Sequence, residues 1–307
     1  MATMYADSDP RSKLATAGAA ATPTSATGFG ASSYALFGET VPQIDDATGR
    51  TWLVRGANFI VAYTLAKPGA AFTRIGQADE YVLLTEAPEP HAVVTWNGED
   101  VTVGAEHITF VPPGDSTIRV PDGGEIVRLF TTASADLAAL CSNAATYACP
   151  ALSIPPLQRW PDPVGGFRVR SYALNVPAEE GRFGRIWRCT TFMVNVFEPA
   201  EPRDPEKLSP HHHDDFEQGS LALGGSFVHH LRWPWTAKLA DWRDDEHATC
   251  PAPSVAVIPA RSIHTSASIA PGATNLLVDI FSPPRRDFSD MAGWVLNAAD
   301  YPAPPSV

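Results

Sequence analysis

Residues 210–219 read PHHHDDFEQG, and residues 259–264 read PARSIH further along the chain. Successive side chains of a β-strand point to opposite faces, so His211 and His213 lie on one face of the same strand. His264 adds a third imidazole behind a proline, on a segment with the composition of a strand. Three imidazoles from two distant strands are a ligand set for Fe, Mn, Ni or Zn. The spacing therefore predicts one divalent metal ion, with an open coordination position, inside a β-barrel.

Two adjacent residues are candidates for a fourth ligand. Glu217 follows His213 after three intervening residues, and Gln218 follows it after four. A carboxylate offsets one charge of the metal, whereas a carboxamide leaves the ion more electrophilic. Only one of the two side chains faces the barrel interior on a regular strand. Six residues separate Glu217 from Gly224, which is the Glu-to-Gly spacing in a motif of the family that the chain resembles (see below). That resemblance favours Glu217 and leaves Gln218 as the alternative.

The composition narrows the classes of function. A chain of 307 residues, 44% of them apolar and 18% charged, has room for two globular domains. Its 29 prolines and 22 glycines are typical of many short strands joined by turns. The net charge of -12 argues against nucleic acid or an anionic membrane as a partner. No segment has the ~20 apolar residues of a membrane span or the core of a secretory signal, so we expect a cytoplasmic protein that acts on a small molecule.

Two series of strand-like segments, rich in β-branched and aromatic residues, divide the chain. The first occupies residues 33–148 and includes one helix-like stretch near its end, and the second occupies residues 167–307. Residues 149–166 are rich in proline and form the predicted linker. Residues 1–32 are rich in Ala, Thr and Ser and are predicted to be a flexible tail. These features predict an all-β fold with two tandem barrels and short helices.

The metal motif recurs in the first half without its histidines. The positions with the same mutual spacing as His211, His213 and Glu217 are Arg74, Gly76 and Glu80. The positions that repeat the downstream motif are Pro112, Gly114 and Thr117, with threonine in place of histidine. We therefore predict an internal duplication in which the first barrel binds no metal.

With these motifs the chain resembles the cupin superfamily. The first cupin motif is G(x)5HxH(x)3–4E(x)6G, and the second is G(x)5PxGxxH(x)3N. The second half of the chain matches the HxH pair, the Glu and its following Gly, the Pro and the last His. It departs at Pro205, Arg261 and Ser268, which are turn positions that leave the ligand set intact. The resemblance implies a bicupin, with two jelly-roll barrels of which the second is active.

A finer resemblance lies beyond the third histidine. The segment LLVDIFSPPRRDF, residues 276–288, is similar to the DVFSPPREDF segment of small cupins that ketonise unsaturated uronic acids from pectin and alginate. In that group a Gln five residues after the second His completes the metal site, which implies Gln218 here. An Asp and an Arg handle the substrate there, and the same offsets imply Asp279 as a general acid or base and Arg285 as a clamp for a carboxylate.

The function that these features favour is a metal-dependent bicupin enzyme acting on a sugar acid or an enol or keto acid. The reaction would be isomerisation, tautomerisation or lyase chemistry, assisted by the metal as a Lewis acid. Two alternatives stay open. One is an Fe, Ni or Mn dioxygenase that cleaves an enediol, a diketone or an aromatic diol, and the other is a non-catalytic bicupin that binds a small molecule. We also expect a homo-oligomer, a dimer, because jelly-roll sheets often cover their exposed edges by pairing.

Overall fold

The computed structural model describes residues 9–13, 29–85, 92–149, 154–272 and 274–305. The elements of the first half are β1 (Ser33–Leu36), β2 (Ile44–Asp46), β3 (Gly49–Arg55), β4 (Phe59–Ala66), β5 (Ala70–Gln77), β6 (Tyr81–Thr85), β7 (Ala92–Trp96), β8 (Glu99–Val103), β9 (His107–Val111), β10 (Gly114–Val120), β11 (Gly124–Thr131) and the helix α1 (Ala135–Leu140). Those of the second half are β12 (Arg170–Ala173), β13 (Arg185–Arg188), β14 (Met193–Val196), β15 (Gln218–Gly224), β16 (Ser226–Arg232), β17 (Glu246–Pro251), β18 (Ser254–Ile258), β19 (Ile263–Ser268), β20 (Leu276–Phe281) and the helix α2 (Arg286–Ser289). Short 3₁₀ turns occupy Pro10–Lys13, Ala144–Tyr147 and Leu239–Asp241. None of the described helices has the length and apolar character that crossing a membrane requires.

The two halves repeat one arrangement of antiparallel strands. The large sheet of the first half has the order β12-β9-β6-β11-β4-β3-β2, and that of the second half has the order β1-β18-β15-β20-β14-β13. In both sheets the last strand of the half, β11 or β20, lies next to the strand that follows the first motif, β6 or β15. A smaller sheet completes each barrel, with the orders β5-β10-β7-β8 and β17-β16-β19. The predicted all-β fold is confirmed.

Each half contributes one strand to the large sheet of the other. Strand β1 pairs with β18 of the second half, and β12 pairs with β9 of the first half. The predicted barrels, residues 33–148 and 167–307, therefore describe two strand series that exchange their first strands. Because neither large sheet is complete without the other half, we expect the two barrels to fold as one unit.

Part of the predicted tail has a defined place. Residues 1–8 and 14–28 lie outside the described residues. Between them, the turn at Pro10–Lys13 lies against the second barrel, where the Arg11 guanidinium donates a hydrogen bond to the Ser209 hydroxyl oxygen over 2.9 Å. Ser209 is two residues before His211, the first histidine of the motif, so the turn lies close to the motif in space.

An apolar core lies between the two large sheets. Its side chains include Trp52, Val61 and Leu129 from the first half and Trp187 and Val278 from the second. All five are at most 2% exposed, and burying side chains of this kind stabilises the fold by about 1.5–3 kcal/mol each. Alternate residues of the same strands face the interior of their own barrel. The large sheets are therefore buried on both faces, and one face of each lines a barrel.

A buried glutamate of the first barrel bonds across this interface. Glu80 accepts hydrogen bonds from the backbone N–H and the hydroxyl of Thr190, over 3.0 and 2.7 Å, and from the hydroxyl of Tyr301 over 2.8 Å. Burial raises the pKa of Glu80, and the bonds from Thr190 and Tyr301 oppose that rise. Glu80, the counterpart of the motif glutamate, therefore joins the two barrels.

Candidate metal centre

Two backbone hydrogen bonds bring together histidines that are distant in the sequence. His211 and His264, the latter on β19, form an antiparallel bridge in which the N–H of each donates to the carbonyl of the other, over 3.0 and 2.7 Å. The N–H of Arg261 donates to the carbonyl of His213 over 2.5 Å, which fixes the next turn. The candidate ligand atoms of His211, His213 and His264 lie within 4.8 Å of one another. The three histidines predicted from the sequence thus converge, and this group fits a divalent metal.

Hydrogen bonds orient two of the rings. The Nδ1 atom of His211 lies 2.9 Å from the carbonyl oxygen of Ser209, and that of His264 lies 3.1 Å from the carbonyl oxygen of Ser262. A carbonyl only accepts, so Nδ1 carries the hydrogen in each ring and Nε2 keeps its lone pair. The Nε2 atom of His264 is buried and has no hydrogen-bond partner among the described residues. An orphaned acceptor of this kind is costly unless an ion or another group satisfies it.

Burial keeps the triad neutral. It lowers the pKa of His264 to about 4, and it lowers the pKa of His211 and His213 well below the ordinary value. The charge of Arg285 contributes further to the low pKa of His213. Neutral imidazole is the form that coordinates a metal, so the site is ready to bind one at neutral pH.

Gln218 faces the triad. Its Oε1 atom lies 3.0 Å from Nε2 of His213, and its side-chain amide donates to the Ser220 hydroxyl oxygen over 2.9 Å. The side chains of Gln218 and Ser220 lie on the barrel face of β15, because residues two apart on a strand share a face. The carboxamide oxygen therefore lies next to a candidate ligand atom of the triad.

Glu217 faces the other way, contrary to the preference that the Gly224 spacing suggested. Its carboxylate accepts hydrogen bonds from the backbone N–H of Ala57 over 2.6 Å and from the hydroxyl of Tyr147 over 3.2 Å, both in the first half of the chain. The register of β15 shifts between Ala222 and Gly224, so a spacing measured to Gly224 does not report which face an earlier residue occupies. Glu217 mirrors Glu80 as a bond between the barrels.

Asp279 ends a chain of hydrogen bonds that starts at the triad. The Ser220 hydroxyl donates to its Oδ1 atom over 2.7 Å, and Ser220 in turn accepts from Gln218. Asp279 lies opposite both Ser220 and Asn195 in the register of the large sheet. Burial raises its pKa to about 6, and the bond from Ser220 opposes that rise. The predicted acid or base is therefore buried in the barrel and linked to the candidate ligand Gln218.

Arg285 is near the site but is already engaged. Its Nε and Nη2 atoms donate to the two carboxylate oxygens of Asp287, over 3.0 and 2.5 Å. The guanidinium lies 3.6 Å from the ring centroid of Phe288 and 5.2 Å from that of Phe216. A substrate carboxylate that bound the same fork would have to compete with Asp287. The sequence resemblance gave no sign of this pairing.

One residue near the site was missed by sequence reasoning. Arg11 donates to Ser209 Oγ, and the carbonyl of Ser209 orients His211. The Arg11 guanidinium also pairs with Asp9 over 2.7 Å and lies 4.4 Å from the ring centroid of Phe183. A single arginine in a segment rich in small residues carries no recognisable pattern, so the sequence could not have placed it here.

The described residues of the first barrel contain no comparable ligand set. In the register of β5 and β10, Arg74 lies opposite Ser116, as His211 lies opposite His264. The predicted counterpart, Thr117, is therefore one residue out of register. The structural counterparts of His211, His213, Gln218 and His264 are Arg74, Gly76, Tyr81 and Ser116. Of these the hydroxyls of Tyr81 and Ser116 bond to each other over 2.9 Å.

A fourth histidine gives the second barrel a measurable pH dependence. His229 is fully buried, its Nδ1 atom lies 2.8 Å from Ser266 Oγ, and burial lowers its pKa to about 3. The unfolded chain, with a pKa near 6.5, takes up this proton first, so the contribution to stability is present above about pH 6.5 and is lost as the pH falls. We expect the free energy of unfolding of the wild type to fall by about 2 kcal/mol more than that of His229→Gln between pH 6.5 and 4.5. Denaturant titrations at both pH values measure the free energy of unfolding of each protein. If it fell by the same amount in the wild type and in His229→Gln, the low pKa of His229 would be contradicted.

No protein-family model matches the chain, and no curated protein matches it. Solved structures match it well. AerE from Microcystis aeruginosa has a TM-score of 0.54 at 8% identity, covering 84% of this chain and 99% of that protein. The protein Ylba from E. coli has a TM-score of 0.52 at 11% identity, with coverages of 83% and 92%.

A mutant of the oxalate decarboxylase OxdC from Bacillus subtilis has a TM-score of 0.52 at 16% identity, with coverages of 82% and 77%. At such low identity these likenesses concern the fold alone. They agree with the two repeated sheets of the structure. The chain has the all-β fold of two cupin-type jelly-roll barrels.

Proposed function

We propose that the second barrel binds one divalent metal ion and that the protein is a metal-dependent enzyme acting on a small oxygenated substrate. The ligands are the imidazoles of His211, His213 and His264, with Oε1 of Gln218 as the fourth. The observation that carries this proposal is the convergence of the three imidazoles within 4.8 Å, with the buried Nε2 of His264 lacking a protein partner. A set of four protein ligands leaves coordination positions for a substrate.

The residues around the triad support acid–base chemistry. A bound metal would supply a Lewis acid that polarises a carbonyl or enol oxygen. Asp279 holds or releases a proton at its carboxyl group, which the Ser220 hydroxyl orients over 2.7 Å. Gln218 links this carboxyl to the triad through the hydroxyl of Ser220. Such an arrangement suits isomerisation, tautomerisation or lyase chemistry next to a carbonyl.

A small acid is the substrate class that fits best. The segment LLVDIFSPPRRDF, residues 276–288, is similar to that of the uronate-ketonising cupins. The likeness to a protein named oxalate decarboxylase also supports a carboxylated substrate. In this proposal Arg285 exchanges its bond with Asp287 for one with the substrate carboxylate. A sugar acid, or an enol or keto acid, meets these requirements.

The test is turnover by metal-loaded protein. Protein reconstituted separately with Mn, Fe, Ni and Zn is mixed with unsaturated uronates and with a panel of keto acids, and products are followed by proton NMR. We expect turnover of at least one acid, and a loss of about 10²–10⁴-fold in kcat for Asp279→Asn, which removes the proton-transfer group but keeps its size. No turnover with any metal, or an unchanged kcat in Asp279→Asn, would contradict the proposal.

A dioxygenase is the second candidate, and one contact favours it. The ring of Phe216 stacks on that of His213 with centroids 4.4 Å apart, so an aromatic surface borders the triad. An aromatic diol or a diketone bound at the metal would contact this surface. Oxygen uptake on catechols, flavonols and 1,3-diketones distinguishes the two candidates, because isomerases and lyases consume no oxygen.

The choice between the two candidate ligands gives a separate prediction. We expect Gln218→Leu to weaken metal binding by roughly 10–100-fold, the range found when a residue that supports a metal site is lost. Glu217→Gln serves as the matched control, because its side chain bonds to Ala57 and Tyr147 instead of facing the triad. Competition with a chromophoric chelator measures both affinities. Weaker binding in Glu217→Gln with unchanged binding in Gln218→Leu would reverse the assignment.

A further inference from the structure

The interior of the first barrel holds a buried arginine that no carboxylate neutralises. Arg128, on β11, is 9% exposed. Its Nη2 atom donates to the Thr64 hydroxyl over 3.1 Å, and its Nε atom has no hydrogen-bond partner in the described part of the chain. Its guanidinium carbon lies 4.1 Å from the ring centroid of Phe72 and 6.0 Å from that of Phe130. Within the described residues no acidic group forms an ion pair with Arg128.

A lone buried cation is costly unless an anion accompanies it. Charges buried away from water are normally paired, because desolvation of an isolated charge is strongly unfavourable. Burial lowers the pKa of Arg128 to about 10, so the guanidinium is still charged at neutral pH. The aromatic ring beneath it offsets part of the cost. The hydroxyl of Thr64 accepts from Nη2 but carries no charge, so the cation still lacks an anion among the described residues.

The position of Arg128 in the duplicated fold is informative. It lies opposite Ala62 and Leu83 in the large sheet of the first barrel, as Asp279 lies opposite Asn195 and Ser220 in the second. The same barrel position therefore carries a cation in one half and a carboxyl group in the other. The barrel without metal ligands is the one with the basic residue.

A cavity reaches the guanidinium. It has a volume of about 230 Å³ and is lined by residues that include Thr51, Phe72, Arg74, Arg128 and Phe130. This volume is below the ~300–1,000 Å³ of pockets for drug-sized ligands, so a ligand here must be small. Of the two arginines, Arg74 is already bound to Asp136 over 2.6 and 3.1 Å.

The lining contains one acidic residue, Asp46, which is exposed. Its carboxylate accepts bonds from the backbone N–H and the hydroxyl of Thr48, over 2.8 and 2.6 Å. It therefore forms no pair with Arg128. The cavity therefore presents one guanidinium without an ion-pair partner among the described residues, and its central carbon lies 4.1 and 6.0 Å from the ring centroids of Phe72 and Phe130.

We propose that the first barrel is a second binding site, which takes a small carboxylate with an apolar body. The planar guanidinium of Arg128 binds the carboxylate group, since a fork of N–H donors matches its two oxygens. The rings of Phe72 and Phe130 contact the apolar part. The site is independent of the metal and of the reaction proposed for the second barrel.

Calorimetry with benzoate as the probe tests this site. We expect one benzoate per chain, with the neutral amide benzamide binding at least tenfold more weakly. Arg128→Met, which keeps an unbranched apolar stem and removes the guanidinium with its charge, abolishes benzoate binding. Arg128→Lys, which keeps the charge and removes the fork, weakens it at least tenfold. His264→Ala leaves benzoate binding unchanged, because that residue belongs to the other barrel.

The same titrations contain the results that would overturn the proposal. No binding of benzoate by the wild type, equal binding of benzamide, or undiminished binding in Arg128→Met each contradicts it. Binding of inorganic phosphate without benzoate contradicts the assignment of a carboxylate. Circular dichroism and the metal content of the second barrel show whether each variant is folded. If Arg128→Met is unfolded, Arg128→Lys provides the test, and undiminished benzoate binding in that variant contradicts the proposal.

Discussion

His264→Ala is expected to lose the metal of the second barrel. The variant removes one of three imidazoles, the one that the backbone bridge between His211 and His264 brings to the triad. We expect metal affinity to fall at least 100-fold, which corresponds to about 2.7 kcal/mol at 1.36 kcal/mol per tenfold. Purified His264→Ala should then contain less than a tenth of the metal in the wild type. Elemental analysis and chelator competition measure the two quantities.

His212→Ala is the matched control for this prediction. His212 lies in the same run of three histidines, but its Nε2 atom is 3.5 Å from the carboxylate of Asp214, on the opposite face from the triad. We expect this variant to keep the affinity of the wild type. If both variants lost metal to the same extent, the histidine run would be binding ions as a polar tract and not as part of the built site.

Loss of the Glu80 carboxylate is expected to have the largest effect on stability. Glu80→Ala leaves the backbone N–H and the hydroxyl of Thr190 and the hydroxyl of Tyr301 without their acceptor inside the interface between the barrels. Each buried group left without a partner costs about 1–3 kcal/mol. We therefore expect the free energy of unfolding to fall by at least about 3 kcal/mol, measured by denaturant titration.

The isosteric Glu80→Gln is the control, since its carboxamide oxygen still accepts from Thr190. Its loss should be well below that of Glu80→Ala. A loss below about 1 kcal/mol in Glu80→Ala would show that the bonds across the interface contribute little. Equal losses in both variants would assign the effect to the charge of the carboxylate and not to its hydrogen bonds.

The histidine spacing predicted the triad, and the two series of strand-like segments predicted the all-β fold. Period-two alternation of side chains determines that His211 and His213 share a face, and the downstream proline motif supplies His264. Alternation also limited the fourth ligand to one of two adjacent residues. It could not choose between Glu217 and Gln218, because the β-bulge before Gly224 changes the spacing that served as the reference.

Other features depend on contacts that no local pattern encodes. The exchange of β1 and β12 between the halves follows from which sheet edges are free in the folded molecule. The counterpart of His264 in the first barrel is Ser116 and not Thr117, because the register of β10 against β5 decides it. Arg285 was expected to be available to a substrate, but Asp287, two residues away, occupies its fork.

The first barrel shows the same limit most clearly. Sequence comparison of the halves predicted only that histidines were missing there. That Arg128 takes the place of Asp279, and that a cavity reaches it, depends on the pairing of three strands in each sheet. Arg128 lies outside the repeated motifs, so its correspondence to Asp279 can be recognised only from the strand pairing of the two barrels.

Anomalous diffraction gives the most direct test of the metal site. Crystals of protein reconstituted with Zn would be measured above and below the zinc absorption edge. We expect one strong peak per chain in the anomalous difference map, bounded by the imidazoles of His211, His213 and His264 and faced by Gln218. No peak between those rings, or a peak beside Arg74 and Ser116 in the first barrel, would contradict it.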